Sequence, residues 1–209
     1  HSFFEQYFSQ LRTAHLLPLS FGAHTMTTRH TPGKTAPDFT WPDVHGNPIT
    51  LSDVAASGPV LLSFYRFAAC PFCNLHMHNL LEIYPELHAH NLRILAFFQS
   101  PADVMLRNVG RQKPPFPLLP DPDCTIYDRY GVEHSGLGML RAMTRVSQIA
   151  SFLKLGFRPN EIDGDSTLLP ADFLILPDLT LHTTYYATDI GDHLPLQRVL
   201  AFAREHAPL

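Results

Sequence analysis

Ser63-Phe64-Tyr65-Arg66-Phe67-Ala68-Ala69-Cys70-Pro71-Phe72-Cys73-Asn74-Leu75-His76-Met77-His78 is the run on which the reading of this chain turns. It begins inside an apolar segment, Val60–Tyr65, of buried-strand length, and passes into two cysteines separated by two residues. The second cysteine is expected to open a helix reaching about His90, with Leu80, Ile83 and Leu87 on its buried face. A helix N-terminus carries about half a positive charge and unpaired N–H groups, both of which favour thiolate over thiol. Two intervening residues keep the sulfurs within disulfide reach, and Pro71 suits an early helical position because it has no N–H to lose. Strand, CxxC, helix in an α/β setting reads as a redox dithiol built on Cys70 and Cys73.

Outward from that run the pattern alternates. Leu92–Phe98 reads as a strand, Ala102–Gln112 as a helix, Phe116–Leu119 as a short strand and Pro122–Tyr130 as one or two helical turns. This order predicts a parallel or mixed sheet between helices. Upstream, residues 38–41 and 48–51 read as two short strands around a turn at 43–47, since Gly46 and Asn47 tolerate positive φ, and Ser52 or Asp53 starts a short helix. Gly136–Gly156 carries a helical stripe of Met139, Leu140, Met143, Val146, Ile149 and Leu153, which covers the core or forms a lid. Phe173–Leu176 and Leu181–Tyr186 read as a hairpin, and Leu194–Glu205 as a closing helix. Phe4, Tyr7, Phe8 and Leu11 fall at helical spacing near the start, and Thr25–Pro37 reads as a linker.

Composition narrows the partners. The 209 residues are 45% hydrophobic and 16% charged, with 15 Lys+Arg against 19 Asp+Glu and a net charge of −4, which excludes disorder as the main state. No basic run offers a nucleic-acid footprint. No secretory leader is visible at the start, and no apolar run approaches the ~20 residues of a membrane span, so the expectation is a soluble cytoplasmic protein. Three cysteines cannot staple a chain of this length. Cys124 reads as a bystander thiol or, less simply, a resolving cysteine. Among the 13 histidines, His76 stands one helical turn after Cys73 and could share a zinc or copper ion with the pair; His45, His88, His90 and His193 read as surface or capping residues. Asn74 occupies the place where covalent haem attachment needs His.

With the strand, the cysteine pair and Leu168-Leu169-Pro170-Ala171-Asp172-Phe173-Leu174-Ile175 taken together, the chain resembles the thioredoxin superfamily. More closely, it is similar to the peroxiredoxin-like branch of the alkyl hydroperoxide reductase / thiol-specific antioxidant family. The matching phrases span roughly 36–204: residues 36–39, 64–66, 70–74, 117–123 with 130–132, 170–173 and 189–195. The resemblance implies an α/β thioredoxin-like fold at 36–209, a central mixed sheet flanked by helices; the chain's own spacing adds an N-terminal helix and linker at 1–35 and a helical insertion at 136–158. It also implies that Pro170 is a cis-proline opposite the cysteines and that Leu169 offers backbone groups to a thiol substrate. One departure stands out. Aligning the peroxiredoxin Pro-x-x-x-Thr-x-x-Cys motif on Cys73 puts Arg66 at the Pro and Cys70 at the Thr, and the peroxidase arginine falls at about Pro170.

That departure favours dithiol exchange. The leading expectation is a thiol–disulfide oxidoreductase in which Cys70 attacks a disulfide and Cys73 resolves the mixed disulfide. Arg66, Leu169 and Pro170 are the candidate substrate-binding residues. The alternatives are a thiol peroxidase with Cys73 as the peroxide-attacking thiol, and a metal-binding or redox-sensing module using Cys70, Cys73 and His76. No cofactor or metal is expected. The partners are a protein or small-molecule thiol or disulfide, with thioredoxin or glutathione as reductant and a homodimer left open.

Overall fold

The computed structural model describes residues 28–142, 144–157 and 162–207. The helix expected around Phe4–Leu11 lies outside the described residues. In chain order the elements are β1 (Thr40–Pro42), β2 (Pro48–Thr50), α1 (Leu51–Ala56), β3 (Val60–Phe64), α2 (Pro71–Ala89), β4 (Arg93–Phe98), α3 (Ala102–Arg107) and a 3-10 turn (Val109–Gln112). They continue with β5 (Leu118–Pro120), α4 (Thr125–Arg129), α5 (Gly136–Ala142), α6 (Val146–Lys154), β6 (Ala171–Ile175), β7 (Leu181–Tyr186) and α7 (Leu196–Glu205).

Five strands form one sheet in the order β5-β4-β3-β6-β7, and β1 and β2 form a separate hairpin. β4 runs parallel to β3 and β5, whereas β6 is antiparallel to both β3 and β7. The sheet is therefore mixed, with β3 at its centre. β3 is buried at every position because both faces are covered. Leu61 and Tyr65 turn toward Met77, Leu80 and Leu87 of α2 and Val199 and Phe202 of α7. Val60, Leu62 and Phe64 turn toward Leu51 and Ala55 of α1 and toward Ile126, Tyr127 and Tyr130 on the other side. Tyr185 and Tyr186 divide between these two cores, as alternation along β7 requires.

Three expected boundaries move. α2 begins at Pro71, so Cys70 is its N-cap and Cys73 lies inside the first turn. The helix expected over 102–112 breaks at Asn108, whose φ of −112° and ψ of −98° fit no helix. The stripe at 136–156 folds as α5 and α6 with a break at Thr144 and Arg145: the Thr144 hydroxyl donates to the Arg141 carbonyl at 2.7 Å, closing α5. The segment read as a linker is, from Thr28 onward, attached to the domain. Gly33 N–H donates to Leu181 O and Leu181 N–H to Lys34 O, each at 2.8 Å, and Arg29 pairs with Glu133. Its backbone groups find partners on β7, which a periodicity search does not register. Among the described residues no helix is long and apolar enough to cross a membrane.

Candidate active site

The turn from β3 into α2 is fixed residue by residue. Tyr127 Oη donates to Tyr65 O at 2.6 Å, Gln99 N–H to Arg66 O at 2.9 Å, and Ala68 N–H to Ser100 Oγ at 2.8 Å. Asn74, buried in the first turns of α2, donates from Nδ2 to Ala68 O and Cys70 O at 2.8 and 3.0 Å. The loop therefore has little freedom, and it presents Cys70 at the helix N-terminus.

Cys70 is 1% exposed, Cys73 is fully buried, and neither is in a disulfide. Arg66 is also fully buried, and its Nη1 donates to Cys70 Sγ at 3.3 Å. The guanidinium is held in place by Leu168 O, which accepts from Nε at 3.0 Å, and by Ser166 O, which accepts from Nη2. Its Cζ lies 5.0 Å from the centre of the Phe67 ring. Burial pushes the Cys70 thiol up, but the Cys73 thiol's hydrogen bond, the Arg66 charge and the backbone N–H groups of Cys73 and Phe72 outweigh it. The net effect lowers Cys70 to about 6. Cys73 moves the opposite way: burial and the neighbouring Cys70 raise it well above an ordinary thiol. One thiolate and one thiol, hydrogen-bonded to each other, are what a nucleophile and its resolving partner require.

Beneath the pair, on the α2–α7 face of the sheet, lies a polar network that sequence reading missed. Asp172 of β6 is 1% exposed and stands in register with Ser63 of β3, whose hydroxyl donates to Asp172 Oδ1. Leu194 N–H donates to Asp172 Oδ2 at 2.7 Å, and His193 Nδ1 lies 3.1 Å from the same oxygen. Burial would raise the Asp172 carboxyl, yet the His193 charge and hydrogen bond hold it below the usual carboxylate value. The His193 ring stacks on His76 at 3.8 Å with 8° between planes, and His76 Nδ1 is 3.0 Å from Tyr65 Oη. Burial, aided by the His193 charge, pushes His76 down to about 3. His76 thus faces a buried network, and among the described residues no three His, Cys, Asp or Glu side chains converge as metal ligands. A signal was present in the strands themselves: Ser63 and Asp172 are isolated polar residues in otherwise apolar strands, and such residues must find each other.

The remaining sequence candidates separate. The structure brings Arg66, Cys70 and Cys73 together. The Leu169–Pro170 bond is trans, against the expected cis-proline. The backbone around it is already committed: Leu169 N–H donates to Glu133 O at 2.9 Å, and Ala187 N–H to Pro170 O at 3.0 Å. His134 and Leu168 form an antiparallel bridge, so residues 133–135 lie where an extended substrate would pair. Cys124 sits apart as the N-cap of α4, with burial and then Asp121, Asp128 and Asp165 pushing its thiol up to about 12.

α5 and α6 close over the pair. Phe72, between the cysteines, meets Phe152 of α6 edge-on at 5.1 Å and packs on Ala142, Leu169, Ala187 and Ile190. Arg145, between the two helices, grips Asp189 through Nε and Nη2, each at 2.8 Å. Gly191 lets both Phe72 and Arg145 pack against its backbone, because a Cβ there would come within 2.8 Å of the Phe72 ring and 3.0 Å of Arg145 Cδ.

Comparison with known proteins bears on the family and the fold. The AhpC/TSA family profile matches residues 32–182. A Mycobacterium tuberculosis protein (strain CDC 1551 / Oshkosh) that carries a peroxiredoxin name is 30% identical over 118 residues, 55% of this chain and 75% of its own. The thiol-disulfide oxidoreductase ResA of Bacillus anthracis is 32% identical over 101 residues, 48% of this chain and 57% of its own. Among solved structures, peroxidoxin BcpB from Mycobacterium tuberculosis superposes with a TM-score of 0.62 at 19% identity, covering 83% of this chain and 96% of that one. A structure described as a thiol:disulfide interchange protein DsbE from Chlorobium tepidum gives 0.55 at 19% identity, covering 83% and 98%. The two structures establish the thioredoxin-like α/β fold.

Proposed function

The chain belongs to the AhpC/TSA family, a family of thioredoxin-fold oxidoreductases, and from that premise we propose that it is a dithiol peroxidase whose nucleophile is Cys70. The observation that carries this reading is the buried contact of Cys70 Sγ with Arg66 Nη1 at 3.3 Å. A guanidinium fixed beside a thiolate both lowers the thiol's pKa and offers N–H donors to an oxyanion leaving from an O–O bond. It supplies from position 66 what the sequence motif lacks at about 170. An attacking sulfur that is 1% exposed also favours a small substrate over a folded protein disulfide.

The chemistry balances in three steps. The Cys70 thiolate attacks a hydroperoxide ROOH, its S–O bond forms as the O–O bond breaks, and with one proton taken up the products are Cys70 sulfenic acid and ROH. Cys73, still a thiol, displaces water from the sulfenic acid to give the Cys70–Cys73 disulfide. An external dithiol of the thioredoxin type then returns both cysteines to thiols and is itself oxidised. The peroxide-attacking role thus passes from Cys73, as the aligned motif would have it, to Cys70. Thiol–disulfide exchange with a small disulfide is the second reading. The CxxC spacing and the likeness to the thiol-disulfide oxidoreductase relative support it.

The test is hydrogen peroxide consumption with dithiothreitol as reductant, alongside dimedone trapping and insulin reduction. Cys70→Ser abolishes turnover, while Cys73→Ser, treated with peroxide in the absence of dithiothreitol, consumes one equivalent and gives a dimedone adduct on Cys70. Turnover that survives Cys70→Ser but not Cys73→Ser overturns the assignment. Insulin reduction without peroxide consumption selects the second reading.

A further inference from the structure

The other end of the sheet holds a second concavity with its own chemistry. β5 is short and pairs with β4 only over Ala96–Phe98, so the first half of β4, from Arg93, runs past it uncovered. β2 and α1, the C-terminal half of α2 and Pro115–Pro117 wall the space, leaving a cavity of about 480 Å³. Cys70 follows the C-terminal end of β3, whereas this cavity opens at the N-terminal end of the parallel β4. The two sites occupy opposite poles.

Arg93 is the feature that needs an explanation. It is half-buried, its Nε is fully buried with no hydrogen-bond partner, and no ion pair holds its guanidinium among the described residues. Asp53 lines the same cavity yet forms no pair with it. A cation partly withdrawn from water without a counter-charge is costly, and a guanidinium's fork of donors suits carboxylate and phosphate oxygens. His88, one turn along α2 from Tyr84, adds a second nitrogen at the cavity wall. Thr50 and Ser57 add hydroxyls, and the remaining lining is apolar or aromatic, with Tyr84 and Phe116 5.6 Å apart and Ile49 among the aliphatic residues. The volume falls within the roughly 300–1,000 Å³ of small-molecule sites, in which a few placed polar groups beside an apolar wall fix a ligand's orientation.

We infer that this cavity binds a small organic anion, a carboxylate or phosphate monoester joined to an apolar body, with Arg93 as the charge anchor and Phe116 and Tyr84 against the body. The site is independent of the dithiol reaction.

The test is an NMR titration of the full chain with benzoate, phenyl phosphate and the neutral isostere benzamide, following the Arg93 Nε–H and the Ile94 and Phe116 amides. Benzoate or phenyl phosphate is expected to shift these resonances saturably, and the stronger of the two names the head group. Benzamide should bind at least roughly 10-fold more weakly, as should benzoate to Arg93→Gln, since a charged hydrogen bond is worth about that factor. Arg93→Lys keeps charge without the fork and should fall between. Cys70 ionisation should be the same in all three proteins. No saturable shift by roughly 20 mM overturns the proposal, and so does equal binding of benzamide and benzoate. The comparison of the two ligands on the unmodified protein stands even if a variant fails to fold.

Discussion

Arg66 and Cys70 are four residues apart in sequence, on either side of a turn, and their contact fixes the charge state of the site. The low Cys70 pKa has a definite sign in stability. In the folded reduced protein Cys70 ionises near 6, against 9.0 for an ordinary thiol. The unfolded chain therefore holds more protons across that window, and stability of the reduced form rises with pH from about 6 to about 9 and is lost as pH falls through 6. The disulfide form lacks this contribution. Arg66→Met should move the ultraviolet thiolate titration of Cys70 toward the ordinary thiol value and slow reaction with peroxide at neutral pH by roughly 10-fold. Arg66→Lys should retain part of both. Because Arg66→Met also leaves the Leu168 and Ser166 carbonyls without their donor, a cost of about 3 kcal/mol in urea unfolding accompanies it. An unchanged Cys70 titration in the Met variant would sink the electrostatic account.

At the scale of elements, α5 and α6 decide what reaches the thiols. The Arg145–Asp189 fork and the Phe152–Phe72 contact tie them over the CxxC turn. Arg145→Ala removes a partly buried, charged hydrogen-bonded pair, so local opening should become roughly 10-fold more frequent. The measurement is the rate at which a bulky disulfide reagent modifies Cys70. An acceleration of that reagent with little change in the peroxide rate is the expected result, and equal rates for the bulky reagent would contradict a covering role. Legibility in the sequence follows the range of the interactions. Strand, CxxC and helix were readable because α2's cap, its proline and its apolar face are all local to 60–90. The Ser63–Asp172 bond spans 109 residues and the Asp172–His193 contact 21, so neither leaves a periodic trace. The same holds for residues 28–36, whose partners on β7 lie far along the chain. The break between α5 and α6 was hidden for another reason: the apolar spacing continues across it, while a Thr144 side-chain hydrogen bond ends the helix.

Across the whole molecule, His76 sets a limit on acid tolerance. His76, held near 3 in the fold, takes up a proton readily once unfolded, with an ordinary value of 6.5. Stability should therefore fall as pH drops from about 6.5 toward 3, by about 2 kcal/mol at pH 5. Urea unfolding of the disulfide form, in which the cysteines no longer titrate, isolates the effect. His76→Phe should flatten the slope between pH 7 and 5, and an equally steep slope in that variant would refute the assignment. The fold itself was legible at this scale because β–α alternation and the cysteine pair point to the same sheet, while the anion cavity was not, since it depends on β5 being too short to cover β4. The pairing of residues 133–135 with 167–169 carries one more consequence, for redesign. The chain occupies its own docking rail with main chain, so no exchange of side chains can clear it. Converting this protein into a reducer of protein disulfides would require shortening or rerouting the connection at 133–135, a change of path rather than of composition.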